Sequence, residues 1–309
     1  MQQYRTDLAM ERVSDCGSLS GVRTENTQLG IFSRNIVEIQ SDDAARQLQK
    51  ARGQYITFHT QPLKTLSQQE IMEFSSLIAR SLQHLLPPEG DILIIGLGNR
   101  RITSDALGSR VTESVLVTRH LKNVLSSSLQ GRLRSVCALS PGVLGVTGME
   151  TCDIVKGAVD HAKPAAVICV DALAARECSR IGTTVQLTDT GILPGSGVGN
   201  HRQGLTKETL GVPVIAIGVP LVVYTAVIVR DALNILLNDM EEDEESRNVA
   251  ADSLINRIIG EDIGEMVVTP REIDEMVSSL SNVLALSLNI ALQSRLSRDE
   301  IIMLTHETQ

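Results

Sequence analysis

Residues 91–99 read DILIIGLGN: four apolar residues in a row, Ile92 to Ile95, cut off by Gly96 and Gly98. So short and continuous an apolar run, stopped by glycines, predicts a strand buried on both faces, the kind found in parallel sheets covered by helices. The pattern repeats outward from it. Residues 105–121 read as a helix with Leu107, Val111, Val115 and Leu116 near one face. SVCALS (135–140) reads as a second strand and PGVLGVTG as a loop. Thr147 and Glu150 have capping-box spacing and open a predicted helix that runs to Ala162. AAVICV (165–170), TTVQLT (183–188) and VPVIAIG (212–218) supply three more strands. Alternating strands and helices predict an α/β fold: a three-layer αβα sandwich around a doubly wound, mainly parallel sheet. In such sheets ligands bind beyond the carboxyl ends of the strands. Asp171 directly follows the apolar run Val167–Val170, and Asp105 lies a short turn beyond the run at 92–95; each is followed by Ala-Leu. The two aspartates are thus expected at one crevice.

Composition restricts the function classes. Among 309 residues, 42% are hydrophobic but only 2% are aromatic, with no Trp, so the core is built from Val, Ile, Leu and Ala. Aromatic base-stacking modules are excluded, and a net charge of −9 repels phosphate backbones, so no direct nucleic-acid partner is expected. The start, MQQYRTDLAMER, has no apolar signal-peptide region. Gly211–Val229 is uncharged over a membrane-spanning length, but Pro213, Gly218 and Pro220 interrupt it, and a buried strand leading into a helix is expected instead of a membrane contact. Five cysteines without a C-x-x-C pattern signal neither a disulfide framework nor a zinc site, and fit a reducing compartment.

PPEG (87–90) marks a junction after a polar, mixed first ninety residues. DMEEDEES (239–246) lies in an acidic linker, taken as about 239–265 and expected to be mobile. A C-terminal helix is expected over 270–295, with Thr269 as N-cap, Pro270 in the first helical position and Glu272 completing a capping box. Its stripe of Ile273, Val277, Leu280, Leu284 and Leu288 suits core or subunit contact.

Most catalytic chemistries lack their residues. GLGNRR (96–101) begins like a dinucleotide fingerprint but carries Arg101 in place of the third glycine, and GSGVGNHR (195–202) lacks the Gly-Lys-Ser/Thr ending of a phosphate loop. No G-x-S-x-G elbow, cysteine-nucleophile signature or H-E-x-x-H spacing occurs, and Cys137 and Cys169 sit inside strand-like runs as small hydrophobes. His201, beside Arg202 in a glycine-rich loop, is the one histidine retained as a candidate. Carboxylates remain. Two close carboxyl groups share a proton, so that one can act as base toward water while its protonated partner polarises a carbonyl. At this level, helix capping by Asp105 and amide satisfaction by Asp171 account for the pair equally well. Two rivals stay open: a metal-dependent endopeptidase and a non-catalytic nucleotide-binding α/β module.

A denser set of motifs carries a resemblance. RTDLAMER, GLGNRRITSDALG, VTRHL, SPGVLGVTGMETCDIVKG, VDALAARE, DTGILPGSGVGNHR, TLGVPVIAIGVP and VVTPREIDEMVSSLSNVLALSLN, in this order, resemble the blocks of germination protease, the spore endopeptidase, most strongly over 91–220. The resemblance implies a fold like that of the hydrogenase maturation endopeptidases and an aspartate dyad that falls on Asp105 and Asp171, with no cofactor. It implies hydrolysis of small acid-soluble spore proteins in the spore core by a homotetramer. It also implies a zymogen whose short propeptide, residues 1–7, is cut at Asp7–Leu8, leaving 8–309 as one α/β peptidase domain. Thr6-Asp7-Leu8-Ala9 is similar to the substrate sites of that family, an acidic residue before the bond and an apolar one after it. The loop holding Gly195, Gly197, His201 and Arg202 is the expected wall of the cleft, where His201 or Arg202 would meet that acidic residue. Two positions depart from the family pattern: Ser104 replaces a proline, and Tyr224 a frequent aspartate.

Overall fold

In the computed structural model the described residues are 6–17, 19–122, 131–193, 203–237, 264 and 266–307. The apolar run forms strand Ile92–Gly96, buried at every position, between two parallel neighbours, Val136–Leu139 and Ala166–Ala175. Among the described residues the strands are β1 (Val22–Leu29), β2 (Phe32–Ile39), β3 (Gly53–His59), β4 (Ile92–Gly96), β5 (Val136–Leu139), β6 (Ala166–Ala175), β7 (Thr184–Thr188), β8 (Val214–Tyr224) and β9 (Val267–Val268). Helices of seven residues or more are α1 (Ala9–Cys16), α2 (Asp42–Leu48), α3 (Gln68–Leu85), α4 (Leu107–Ser114), α5 (Thr151–Ala162), α6 (Thr225–Leu237), α7 (Ile273–Leu292) and α8 (Arg298–Glu307). The strands make one sheet in the order β1-β2-β3-β7-β8-β6-β4-β5, with β9 paired to β8.

The α/β expectation holds, while the sheet is more mixed than a mainly parallel one. Strands β5, β4, β6 and β8 are parallel, as predicted, but β8–β7, β7–β3, β3–β2 and β2–β1 are antiparallel. The antiparallel half comes largely from the polar first ninety residues. There β1, VRTENTQL, is mostly exposed and has no apolar run to betray it. Alternate residues of the parallel strands feed two cores. Ile92, Ile94, Ile168, Val170, Ile215 and Ile217 pack with α3, α4 and α7, whereas Leu93, Ile95, Val167, Cys169 and Val214 pack with α5.

Three predicted helix boundaries move. Helix α4 stops at Ser114 instead of continuing to 121, because Val115–Val117 turn into the core: the Leu116 N–H donates to Asn289 Oδ1 at 2.8 Å and the Thr118 N–H to the Val136 carbonyl at 2.9 Å. Helix α5 starts at Thr151 without the expected Thr147–Glu150 box, since the Thr147 hydroxyl bonds the Val143 and Met149 carbonyls instead. Helix α7 starts at Ile273, because Thr269 Oγ1 donates to the Leu221 carbonyl at 2.9 Å and ties the approach to β8 instead of capping the helix. Its stripe, Ile273, Val277, Leu280, Leu284 and Leu288, is core.

Asn289 is itself buried, so its bond to Leu116 is a test of this packing. Asn289→Ala leaves the Leu116 N–H without an acceptor and is expected to cost about 1–3 kcal/mol, measured as a lower urea midpoint at unchanged slope.

Candidate active site

Asp171 sits within β6, not after it. The strand continues because β8 runs alongside as far as Tyr224, pairing Asp171 with Gly218. On the other edge β4 ends: Gly96 pairs with Val170, and the Leu97 N–H donates to the Val170 carbonyl at 2.8 Å before the chain turns off. Asp171 is therefore the first residue of β6 beyond the end of β4. It is 7% exposed, and its Oδ1 accepts the Ala172 N–H at 3.0 Å. Two positions earlier, Cys169 is fully buried and burial pushes its thiol far up, which removes it as a nucleophile at neutral pH.

Asp105 reaches the same end of the sheet through α4. It closes a helical turn, Thr103–Asp105, and its Oδ2 accepts the Asn99 N–H at 2.7 Å, so the carboxylate is tied to the loop leaving β4. That loop requires glycine. Gly98 has φ +96°, and a Cβ there would lie 2.0 Å from the Asp105 carbonyl oxygen and 2.8 Å from Oδ1. Helix α4 then docks backbone to backbone: a Cβ on Gly108 would sit 2.4 Å from the Val170 carbonyl oxygen and from Leu97 N. The glycines of GLGN and DALG thus set the start of α4 against the residue before Asp171.

The N-terminal segment occupies the far end of β6. The Asp7 N–H donates to the Ala174 carbonyl at 3.0 Å, and the Ala174 N–H donates to Asp7 Oδ2 at 2.9 Å. Two side chains converge on the Asp7 carbonyl oxygen, that of the Asp7–Leu8 bond: Lys50 Nζ at 2.8 Å and Gln186 Nε2 at 3.1 Å. The other end of the Gln186 amide accepts the Ala9 N–H at 2.8 Å. Gln186, Gly218 and Asp171 lie in one row across β7, β8 and β6. Leu8 is fully buried against Leu173, Ala174, Val223, Tyr224 and Val227. Burial lowers the Lys50 pKa, with Asp7 pulling it back. Gln186→Leu is expected to keep the fold but to speed amide exchange at Ala9 by about tenfold or more, since one buried hydrogen bond is worth roughly that factor.

Glu11 lies beneath this clamp, with its side chain wholly buried. Its Oε2 accepts from the Thr6 hydroxyl and from the Arg176 N–H. Burial, and secondarily Glu177, raises its pKa above the ordinary 4.5, against the lowering effects of Thr6, Arg176 and Arg180. A raised carboxyl stabilises the fold below its unfolded pKa and loses that contribution as pH rises through the folded value. The packing of residues 6–11 is therefore expected to be firmest in acid, and Glu11→Gln should flatten the rise of the unfolding midpoint as pH is lowered from neutral.

With this geometry in view, the comparisons are decisive. A family model described as germination protease matches residues 4–259. The chain belongs to the germination protease family. The germination protease of Clostridium acetobutylicum is 38% identical over 322 positions, covering 97% of this chain and 98% of that one. That of Clostridium tetani is 36% identical over 315 positions, covering 96% and 98%. That of Bacillus licheniformis is 35% identical over 362 positions, covering 99% and 98%; the alignment is longer than the 309 residues here, so the Bacillus protein carries segments this chain lacks. Membership in the family makes the chain a peptidase of germination.

Of the residues singled out from sequence, the fold brings Asp105 and Asp171 to one end of adjacent strands and sets Asp7 and Leu8 at the continuation of β6. Gly195, Gly197, His201 and Arg202 lie outside the described residues. The base of their loop is closed by a bridge between Ile192 and Leu205, where Gly191, φ +78°, has no room for a Cβ. Lys50, Gln186 and Glu11 went unnoticed in sequence. Lys50 and Gln186 stand in no motif, and only Glu11, three residues beyond Leu8, carried a trace as the N3 position of a helix start.

Proposed function

We propose that the chain is an endopeptidase that opens the degradation of small acid-soluble spore proteins, using Asp105 and Asp171 as a proton-sharing pair. The observation that carries this reading is the docking of α4 through Gly108 onto the Val170 carbonyl, which sets both aspartates at the sheet end where α/β folds bind ligands. In the proposed reaction one carboxylate takes a proton from water as its oxygen attacks the scissile carbonyl carbon. The partner carboxyl donates to the carbonyl oxygen, and the collapsing intermediate passes a proton to the leaving amine. The family's name supports the peptidase activity; the spore-protein substrate follows from the motif resemblance, as do the likeness to maturation endopeptidases, the spore-core location and the tetramer. Since the α7 stripe is core, a tetramer would be built on other surfaces, such as the exposed Ile235 and Leu236 of α6. Light scattering at micromolar concentration is expected to give four times the chain mass, and a monomer mass would contradict the assembly.

The same reading makes this chain a precursor that loses Met1–Asp7. Supporting it, the Asp7–Leu8 carbonyl is held by two donors, and an acidic residue precedes the bond with an apolar one after it. Burial of Leu8 also means that the bond is reached only by local opening of the segment. Incubation with a purified spore protein, followed by mass spectrometry of the fragments, tests the activity: cuts after acidic residues are expected, and an intact substrate would sink the proposal. N-terminal sequencing after incubation at roughly pH 5, where a shared proton is more readily loaded, should show a new start at Leu8.

A further inference from the structure

Cutting the Asp7–Leu8 bond has a chemical consequence inside the protein. Water adds its oxygen to the Asp7 carbonyl carbon, the C–N bond breaks, Asp7 leaves with a new α-carboxylate, and Leu8 keeps the nitrogen as an amine. That amine takes up a proton, since α-amino groups titrate near 7.7–8.0. In the uncut chain the Leu8 N–H donates to Thr6 Oγ1 at 3.1 Å, and the same hydroxyl donates to Glu11 Oε2. Thr6 therefore bridges the Leu8 nitrogen and the Glu11 carboxyl, and Thr6 departs with the segment.

We infer that Glu11 is the receptor for the α-ammonium created at Leu8, and that their ion pair fixes the mature start of the chain to the strand that carries Asp171. This rests on the proposed cut at Asp7–Leu8, and four observations support it. Leu8 is the N-cap of α1 and Glu11 its N3 residue, the spacing at which a glutamate side chain reaches back to the N-cap nitrogen. The nitrogen stays where it is after the cut, because the Leu8 side chain is fully buried and Ala9 remains bonded to Gln186. Glu11 has capacity to spare: its buried Oε1 has no hydrogen-bond partner, with Arg180 Nε at 3.7 Å. Finally, Oε2 also accepts the Arg176 N–H just past the end of β6, so a carboxylate charged by its new partner holds the strand of Asp171 as well as the new terminus.

The charges around this carboxyl suit such an exchange. Glu177 and Arg180 act on Glu11, and Lys50 feels Glu11 together with Asp7 and Arg12. Losing Asp7 removes one carboxylate from Lys50 and leaves Glu11 as the carboxylate that still raises its pKa. A carboxyl whose burial raises its pKa in the precursor becomes the counter-ion of a cation in the product. Glu11 is a positioning residue on this view, without contact to the reacting atoms of a substrate protein.

The test needs no self-processing. A chain beginning at Leu8 is released from an N-terminal tag by an unrelated protease, beside one that begins at Asp7, and the α-amino group of each is titrated by NMR with the first residue isotopically labelled. The Leu8 amine is expected to hold its proton at least about tenfold more tightly than an ordinary α-amine, and Glu11→Gln should abolish that gain while Glu11→Asp keeps part of it. The Asp7 amine faces the Ala174 carbonyl and not Glu11, so its proton should be held less tightly than that of the Leu8 amine; this comparison stands even where Glu11→Gln fails to fold. An ordinary titration of the Leu8 amine, or one unchanged by Glu11→Gln, overturns the pairing. A natural terminus other than Leu8, found by sequencing protein that has processed itself, overturns the maturation reading instead, so the two failures are distinguishable.

Discussion

Asp171→Asn is expected to abolish hydrolysis of spore protein while the chain still folds, with a loss of about 10³–10⁴-fold or more, the scale seen when one member of a cooperating catalytic set is removed. The amide keeps the acceptor that Asp171 Oδ1 offers to the Ala172 N–H, so the local structure has no reason to collapse. It cannot take a proton from water, and that is the function being tested. Asp105→Asn should behave alike, since its amide oxygen can still accept from Asn99 N. Stability is expected to hold or rise in both, because in the proposed dyad replacing one carboxyl group relieves repulsion of the other. Both variants should also leave Met1–Asp7 in place, which N-terminal sequencing reads independently of any added substrate. Circular dichroism and urea unfolding establish that the variants are folded. Substantial peptidase activity in either folded variant would sink the dyad.

How far the sequence disclosed this site depended on the kind of physics involved. The parallel strands were visible because burial on both faces leaves continuous apolar runs such as ILII and VICV. Asp171 stood out because a carboxylate is costly directly after such a run, and Asp105 because it repeats the Asp-Ala-Leu a short turn beyond another. The length of β6 was hidden, since whether a strand ends at Val170 or continues through Asp171 depends on its neighbour β8, which no local pattern reports. The antiparallel half was hidden for a similar reason: β1 exposes both faces and has a polar sequence, so pairing with β2 alone makes it a strand. Lys50 and Gln186 come from a loop and from β7, and meet at the Asp7 carbonyl only once the sheet has formed. Long-range convergence of this kind leaves no trace in spacing. Glu11 differs. Its distance from Leu8 is a local fact, but its importance appears only when Thr6 is seen between them.

Gly108→Ala separates the geometry of the site from its chemistry. The added methyl has no space: its carbon would lie 2.4 Å from Leu97 N, 2.4 Å from the Val170 carbonyl oxygen and 2.5 Å from the Leu97 carbonyl oxygen. All three are backbone atoms of the sheet and of the loop leaving it, so no side-chain rotation relieves the clash. Helix α4 has to lift off the strand ends by roughly an ångström, at a cost of about 1–3 kcal/mol. Asp105, three residues earlier and bonded to the same loop through Asn99, moves with it, whereas Asp171, held in β6 by its pairing with Gly218 of β8, does not. A displacement of roughly that size costs an active site on the order of 10²-fold. The expectation is therefore a folded enzyme with a lowered urea midpoint and turnover reduced about a hundredfold. Gly157→Ala is the matched control. It lies exposed within α5, a Cβ there meets nothing within 4 Å, and the change should stabilise by about 0.5–1 kcal/mol without touching turnover. If Gly108→Ala keeps full turnover despite the stability loss, the start of α4 is not what places Asp105, and the dyad would have to be assembled by some other element.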